Sequence, residues 1–143
     1  MPITNNVPKN VYKTTYLTKN DLDSMEYFSH KGGLWLYRDK DWNMLTYVLV
    51  VYRGNRPYSI GHINLKKCQD GYRVHWLGIS RKYHGTGVAE WLYGTLLEKG
   101  MDIVSGSSQS KGAKALWARL MEKYNCTGDE WDLDTKKKLI LFC

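Results

Sequence analysis

The chain has 143 residues, 43% of them hydrophobic and 13% aromatic, with a formal net charge of +7. That composition is one of a folded protein and not a disordered one, and the length suits one domain, residues 1–143, with a core of its own. No run of about 18 apolar residues occurs, and Met1-Pro2-Ile3-Thr4-Asn5-Asn6 lacks a signal peptide's apolar centre, so a cytoplasmic protein without membrane contact is expected.

Val11 to Leu17 alternates and reads as a first strand. Thr18 followed by Asp21 is a variant of the capping box, and Leu22, Met25 and Phe28 then predict a short amphipathic helix that His30-Lys31-Gly32-Gly33 ends. Gly33 to Arg38 predicts a short strand, and Asp39-Lys40-Asp41 a turn. Met44 to Arg53 is the clearest strand, apolar on both faces as in a sheet covered on each side. Gly54-Asn55-Arg56-Pro57 turns the chain, Tyr58 to Leu65 returns as a hairpin partner, and Gln69-Asp70-Gly71 turns it again. Tyr72 to Ile79 is a strand rich in aromatic and β-branched residues. A helix from about Gly87 carries Val88, Trp91, Leu92 and Leu96 on one stripe, with Glu90 in its first turn and Gly100 just beyond its end. Asp102 to Gly106 reads as a short parallel strand, and Ser110 to Tyr124 as a helix with Ala113, Leu116, Trp117, Leu120 and Tyr124 on one face. Glu130 to Leu133 and Lys137 to Phe142 resemble a closing hairpin. Antiparallel strands, then β-α-β, then late strands predict an α/β fold with a mixed, mostly antiparallel sheet and helices on both faces.

The chemistry concentrates between the strand at Tyr72–Ile79 and the helix after it. Two glycines and an alanine in Tyr83-His84-Gly85-Thr86-Gly87-Val88-Ala89 let a backbone come close to a ligand, and the amides of a new helix favour a phosphate there. A dinucleotide fingerprint needs a third glycine, which is missing. A nucleotide P-loop needs a lysine after the last glycine, and none follows Gly87. Ile79 to Ala89 instead fits I-x-x-x-Y-[R]-G-x-G-x-A. It resembles the pyrophosphate loop of the GCN5-related N-acetyltransferase (GNAT) superfamily, [QR]-x-x-G-x-[GA], with His84 in place of the first Gln or Arg. The order of elements from Tyr47 to Tyr124 is also the superfamily's. The stretch Ser105 to Ala113 with the following Leu-Trp is similar to small members encoded by bacteriophages, which would place the protein in a host cytoplasm.

The resemblance implies an acyl-CoA N-acyltransferase fold and acetyl-CoA as co-substrate. Its pyrophosphate would lie on His84, Gly85, Thr86, Gly87, Val88 and Ala89, and its pantetheine arm would pair with the backbone of Leu77, Gly78 and Ile79. A glycine inside a strand marks either such a close approach or an ordinary bulge. On the next helix the superfamily keeps N-x-x-A-x-x-L-Y. Here Ser110 stands for the Asn that touches the cofactor arm and Trp117 for the Tyr that protonates the leaving thiolate. An indole N–H cannot act as an acid near neutrality. For the base, His75 precedes Ile79 by four residues on one strand face, and histidine as a residue type can take up a proton at physiological pH; it also falls at a position where the superfamily uses a strand histidine through ordered water. His62 and His30 have weaker claims.

The acceptor would carry a primary amine, on a protein or a small molecule, and acceptor loops vary within a fold. Two other functions fit the same residues: an acetyl-CoA-binding interaction protein without turnover, and a nucleic-acid-modifying transferase. The lysines and arginines are scattered apart from Lys136-Lys137-Lys138, which does not favour nucleic acid over a polyanionic cofactor as the reason for the charge. Cys68, Cys126 and Cys143 are odd in number and dispersed, as expected of reduced thiols without a metal site. A monomer or homodimer is expected.

Overall fold

The computed structural model describes residues 11–39, 44–69, 71–104, 111–123, 127–129 and 140–142. In chain order the elements are β1 (Val11–Tyr12), β2 (Thr15–Tyr16), α1 (Lys19–Asp23), β3 (Met25–Lys31), β4 (Leu34–Asp39), β5 (Leu45–Arg53), β6 (Arg56–Cys68), β7 (Gly71–Ser80), a 3-10 turn over Arg81–Tyr83, α2 (Val88–Glu98), β8 (Ile103–Val104), α3 (Lys111–Lys123), β9 (Thr127–Asp129) and β10 (Ile140–Phe142). The class is mixed α/β with mostly antiparallel strands: β2 on β6, β3 on β4, β4 on β5 and β10 on both β8 and β9 are antiparallel, while β1 and β8 pair parallel with β7. These elements divide between two compact units, Met1–Asn64 with Trp76–Val88, and Leu65–His75 with Ala89–Cys143. No helix among the described residues is long and apolar enough to cross a membrane.

In the first unit β5 is the centre. Thr46 to Val50 are buried without interruption, which is what apolar side chains on both faces of a strand require. Leu36 on β4 and Ile60 and Ile63 on β6 are completely buried beside it in sequence order. The segment before β3 departs from the sequence expectation. The capping box is present: the Thr18 hydroxyl accepts from the Asp21 amide and Asp21 accepts from the Thr18 amide. The helix nevertheless stops at Asp23, and Met25, Tyr27 and Phe28 belong to a seven-residue strand. Ser24 bonds back to Asn20 and Asp21 and closes the helix after five residues, too few to be stable on their own. The following residues pair with β4 instead, through the two-residue turn Gly32-Gly33, and the aromatic pair Tyr27-Phe28 suits a strand better than a helix. The expected first strand is divided into β1 and β2, which reach different partners: Val11 and Tyr12 pair with Ile79 and Ser80, whereas Thr15 and Tyr16 pair with Ser59 and Tyr58. Arg56 and Pro57, expected in a turn, open β6, with only Gly54-Asn55 left as the turn.

In the second unit β7 begins beside β8, with Tyr72 opposite Ile103 and Arg73 opposite Val104. The Tyr72 amide also donates to the Asp102 carbonyl at 2.9 Å. Helix α2 buries Leu92, Tyr93, Thr95, Leu96 and Leu97, a wider face than the predicted stripe, and Trp91 is half-buried. Its end is a Schellman motif: the Met101 amide donates to Leu96 and the Gly100 amide to Leu97, so the last carbonyls are satisfied where the sequence placed the stop. Helix α3 buries Leu116, Trp117 and Leu120, each such side chain contributing about 1.5–3 kcal/mol. A closing hairpin is present, but its first strand is Thr127–Asp129, and residues 130–139 lie outside the described ones.

Candidate cofactor-binding site

Strand β7 ends at Ser80, the 3-10 turn follows, and the chain enters α2 through Gly85 and Gly87. These two glycines have φ of 75° and 85°, the left-handed region that L side chains rarely adopt. No described atom lies within 4 Å of where a Cβ on either would stand, so the space over the turn is open. The turn is held from within. His84 Nε2 donates to the Ile79 carbonyl at 2.7 Å, which requires the proton on that nitrogen, and the Thr86 hydroxyl donates to the Tyr83 carbonyl. Val88 is buried and anchors the far end of the turn, while His84, Gly85, Thr86 and Gly87 are exposed. An exposed turn with left-handed glycines ahead of an eleven-residue helix presents backbone amides at the positive end of the helix dipole, an arrangement suited to phosphate.

The three strand residues ahead of the turn are placed as follows. Leu77 is half-buried, and Gly78 and Ile79 are buried. A Cβ on Gly78 would stand 2.0 Å from the Trp76 ring, so the missing side chain makes room for that indole. Across from it, a Cβ on Gly61 would stand 2.5 Å from the Gly78 carbonyl. Glycine at residue 61 therefore lets the backbone of β7 come this close, while glycine at residue 78 leaves room for the Trp76 ring. Ile79 is engaged twice, by the parallel pairing with Val11 and by the His84 ring.

Sequence reasoning passed over Gly61 and gave its neighbour His62 only a weaker claim. His62 beside it packs against Trp76 with ring centroids 4.7 Å apart and edge-on to Tyr12 at 5.2 Å. Burial pushes the His62 imidazole below its ordinary value, and the charge of Asp39 offsets this in part. The Tyr12 hydroxyl bonds the Ser59 hydroxyl, and Thr14 and Ser80 hydroxyls meet at 2.8 Å. The available signal was Gly61 itself, a glycine within a predicted strand, which carries the same meaning as Gly78.

His75, the predicted base, is exposed, and its side chain forms no hydrogen bond or ion pair with a described residue. Trp117 is buried, 3% exposed, and packs on Tyr93 with ring centroids 4.8 Å apart. Burial holds the Tyr93 phenol well above its ordinary range. Ser110 lies outside the described residues. Ala89 is half-buried, and Glu90, next to it in the first turn of α2, bonds Arg119 at 3.0 Å and Lys123 at 3.3 Å. Those hydrogen bonds hold its carboxyl below the usual range. An anion at a helix start would otherwise oppose a second anion, and the two cations offset that.

No family model and no curated protein matches the sequence. Two solved structures are similar. One, described as a streptothricin acetyltransferase from Bacillus anthracis str. Ames in complex with acetyl coenzyme A, is 13% identical over 92% of this chain and 98% of its own, with a TM-score of 0.43. The ribosomal-protein-S18-alanine N-acetyltransferase from Escherichia coli is 12% identical over 90% of this chain and 89% of its own, with a TM-score of 0.40.

Proposed function

We propose that the protein is an acetyl-CoA-dependent N-acetyltransferase acting on a primary amine. One observation carries this: an open turn with left-handed Gly85 and Gly87 leads from β7 into α2, on a sequence that resembles the GNAT pyrophosphate loop. The residues fit the cofactor. Backbone amides from Gly85 to Ala89 would hold the pyrophosphate, and His84, tied to Ile79, fixes the turn in its open form. Because Ile79 already pairs with Val11 and accepts from His84, a pantetheine arm would hydrogen-bond at Leu77 and Gly78 or use the other edge of Ile79. Bound acetyl-CoA supplies an activated acetyl thioester.

The acceptor amine must arrive neutral to form its bond to the acetyl carbon, while the carbon–sulfur bond breaks and the thiol sulfur takes the electron pair. The proton lost by nitrogen goes to His75, directly or through water. No phenol stands at residue 117, and the Tyr93 phenol is a poor acid in its buried setting. The thiolate therefore leaves without a side-chain acid, which a leaving group with an ordinary pKa of about 8.5 tolerates.

A second reading is favoured by the burial of Trp117 at the position of the superfamily's tyrosine: a protein that binds acetyl-CoA without turning it over. Incubating the protein with acetyl-CoA and a panel of amines, peptides bearing lysine and free α-amines among them, while measuring thiol release, separates the two. Release that depends on the amine and falls with His75→Gln supports the enzyme. Tight acetyl-CoA binding with no release for any amine supports the binding protein.

A further inference from the structure

Three ring side chains from three separate strands meet beside the Gly61–Gly78 approach: Tyr12 from β1, His62 from β6 and Trp76 from β7. Their ring centroids lie 4.7 Å apart for His62–Trp76, 5.2 Å for Tyr12–His62 and 6.4 Å for Tyr12–Trp76. The N-terminal segment brings them together. Val11 and Tyr12 pair with the end of β7, while Thr15 and Tyr16 pair with the start of β6. Two hydroxyl pairs, Tyr12–Ser59 and Thr14–Ser80, fasten the segment to both strands. Ser59 and Ser80 are buried, whereas the three rings are only half-buried and keep surface for a ligand.

A carboxylate shares this face of the sheet. Asp39 on β4 stands opposite Thr46 on β5, and the Thr46 hydroxyl donates to the Asn64 side-chain oxygen at 2.8 Å. Asn64 lies two residues from His62 on β6, a spacing that returns to the same side of a strand. The charge of Asp39 reaches the His62 ring, which burial nonetheless keeps neutral. The His62 side chain forms no hydrogen bond with a described residue, so one of its ring nitrogens is left to accept from a ligand. Aromatic π faces with a carboxylate nearby attract a cation and disfavour an anion. This face therefore suits the opposite sign of charge from the phosphate turn after β7.

We propose that Tyr12, His62 and Trp76, backed by Asp39, form the acceptor subsite and take a small organic ammonium. Its charge lies against the Trp76 and Tyr12 rings, and one N–H is donated to the unbonded nitrogen of His62. The role rests on the acetyltransferase reading: an arm that follows β7 back from the turn to Leu77 brings the acetyl end toward Trp76. His62 is here a binding and positioning residue, and the proton still leaves as described above.

The test is an NMR titration of the full chain, without acetyl-CoA, following the Trp76 indole N–H, which Trp76→Phe identifies by its loss. Butylammonium should shift that signal saturably, whereas butanol and butyrate, of the same chain length, should not. Tyr12→Leu and Asp39→Asn should each weaken butylammonium by about two- to thirtyfold. Asp39→Asn keeps the side chain's size and covers the case that Tyr12→Leu fails to fold. In turnover assays with an amine that is acetylated, Asp39→Asn and His62→Phe should raise the acceptor's KM and leave kcat and the KM for acetyl-CoA within about twofold. No shift with butylammonium, an equal shift with butanol, or an Asp39→Asn variant that binds normally would each overturn the proposal. So would His62→Phe losing kcat at unchanged acceptor KM, since His62 would then belong to the chemistry and not to binding. Failure of the titration leaves the acetyltransferase reading standing. Ammonium binding by a chain without affinity for acetyl-CoA would overturn that reading and, with it, the role of the cluster as an acceptor subsite.

Discussion

His84 Nε2 donates to the carbonyl oxygen of Ile79 across 2.7 Å, tying the glycine turn to the end of the strand that precedes it. The bond fixes the turn's approach to α2. His84→Ala should therefore weaken acetyl-CoA binding by about tenfold through loss of one buried-end hydrogen bond and the order it imposes. His84→Gln, whose amide can donate to the same carbonyl, should recover most of the affinity in a calorimetric titration. Equal weakening by both variants would show that the ring itself, and not the tie to Ile79, matters.

Gly87 has φ of 85°, so Gly87→Ala should destabilise the protein by about 1–2 kcal/mol even though nothing stands near its Cβ position. Denaturant unfolding measures this. The turn is exposed, so the variant should still fold, and Gly87→Glu, which adds a like charge over the amides, should fold and bind no acetyl-CoA.

A neutral His62 gives a second stability signal. Its folded-state value lies below the ordinary 6.5 because of burial, so on acidification the unfolded chain takes up a proton that the folded chain resists. The contribution is complete above about pH 6.5 and is lost as the pH falls through the lowered folded value. Thermal unfolding should show stability dropping over that acid window, and His62→Phe should flatten the drop. A rise in stability on acidification through the same window would contradict the assignment.

How much of this could be read from the chain depended on the reach of each interaction. The strand at Tyr72–Ile79, the turn and the stop at Gly100 were legible because each rests on neighbouring residues: β-branched and aromatic alternation, two close glycines, a Schellman end. The segment Leu22–Phe28 was not. Thr18 and Asp21 announce a helix correctly, but what ends it is pairing of Met25–Lys31 with β4, a partner that local periodicity does not reveal. Gly78 was singled out as an approach point, yet what its missing side chain makes room for is Trp76 of its own strand, and the residue that must be glycine for the two strands to approach is Gly61 on the other.

Trp117 packs against Tyr93 in the second unit, so it should matter to folding more than to turnover. Trp117→Phe should cost about 1–2 kcal/mol of stability through the cavity it leaves, and keep much of the rate at temperatures where it is folded. A loss of about 10³-fold in turnover with normal stability and cofactor affinity would make the indole N–H part of the chemistry and contradict thiolate departure without a side-chain acid.

His75 carries the proposed proton transfer, and its exposed position lets it reach an acceptor or a bridging water. His75→Gln should lower turnover by about 10²–10⁴ and move the acidic limb of the rate–pH profile. A loss nearer tenfold with that limb in place would assign it to water organisation.

The most direct test of the central claim is calorimetric titration of the full chain with acetyl-CoA, NAD and ATP in turn, with Gly87→Glu as control. The account predicts saturable binding of acetyl-CoA that the control lacks, and no competition from NAD or ATP. No heat with acetyl-CoA, or binding of NAD or ATP at the same turn, would contradict it.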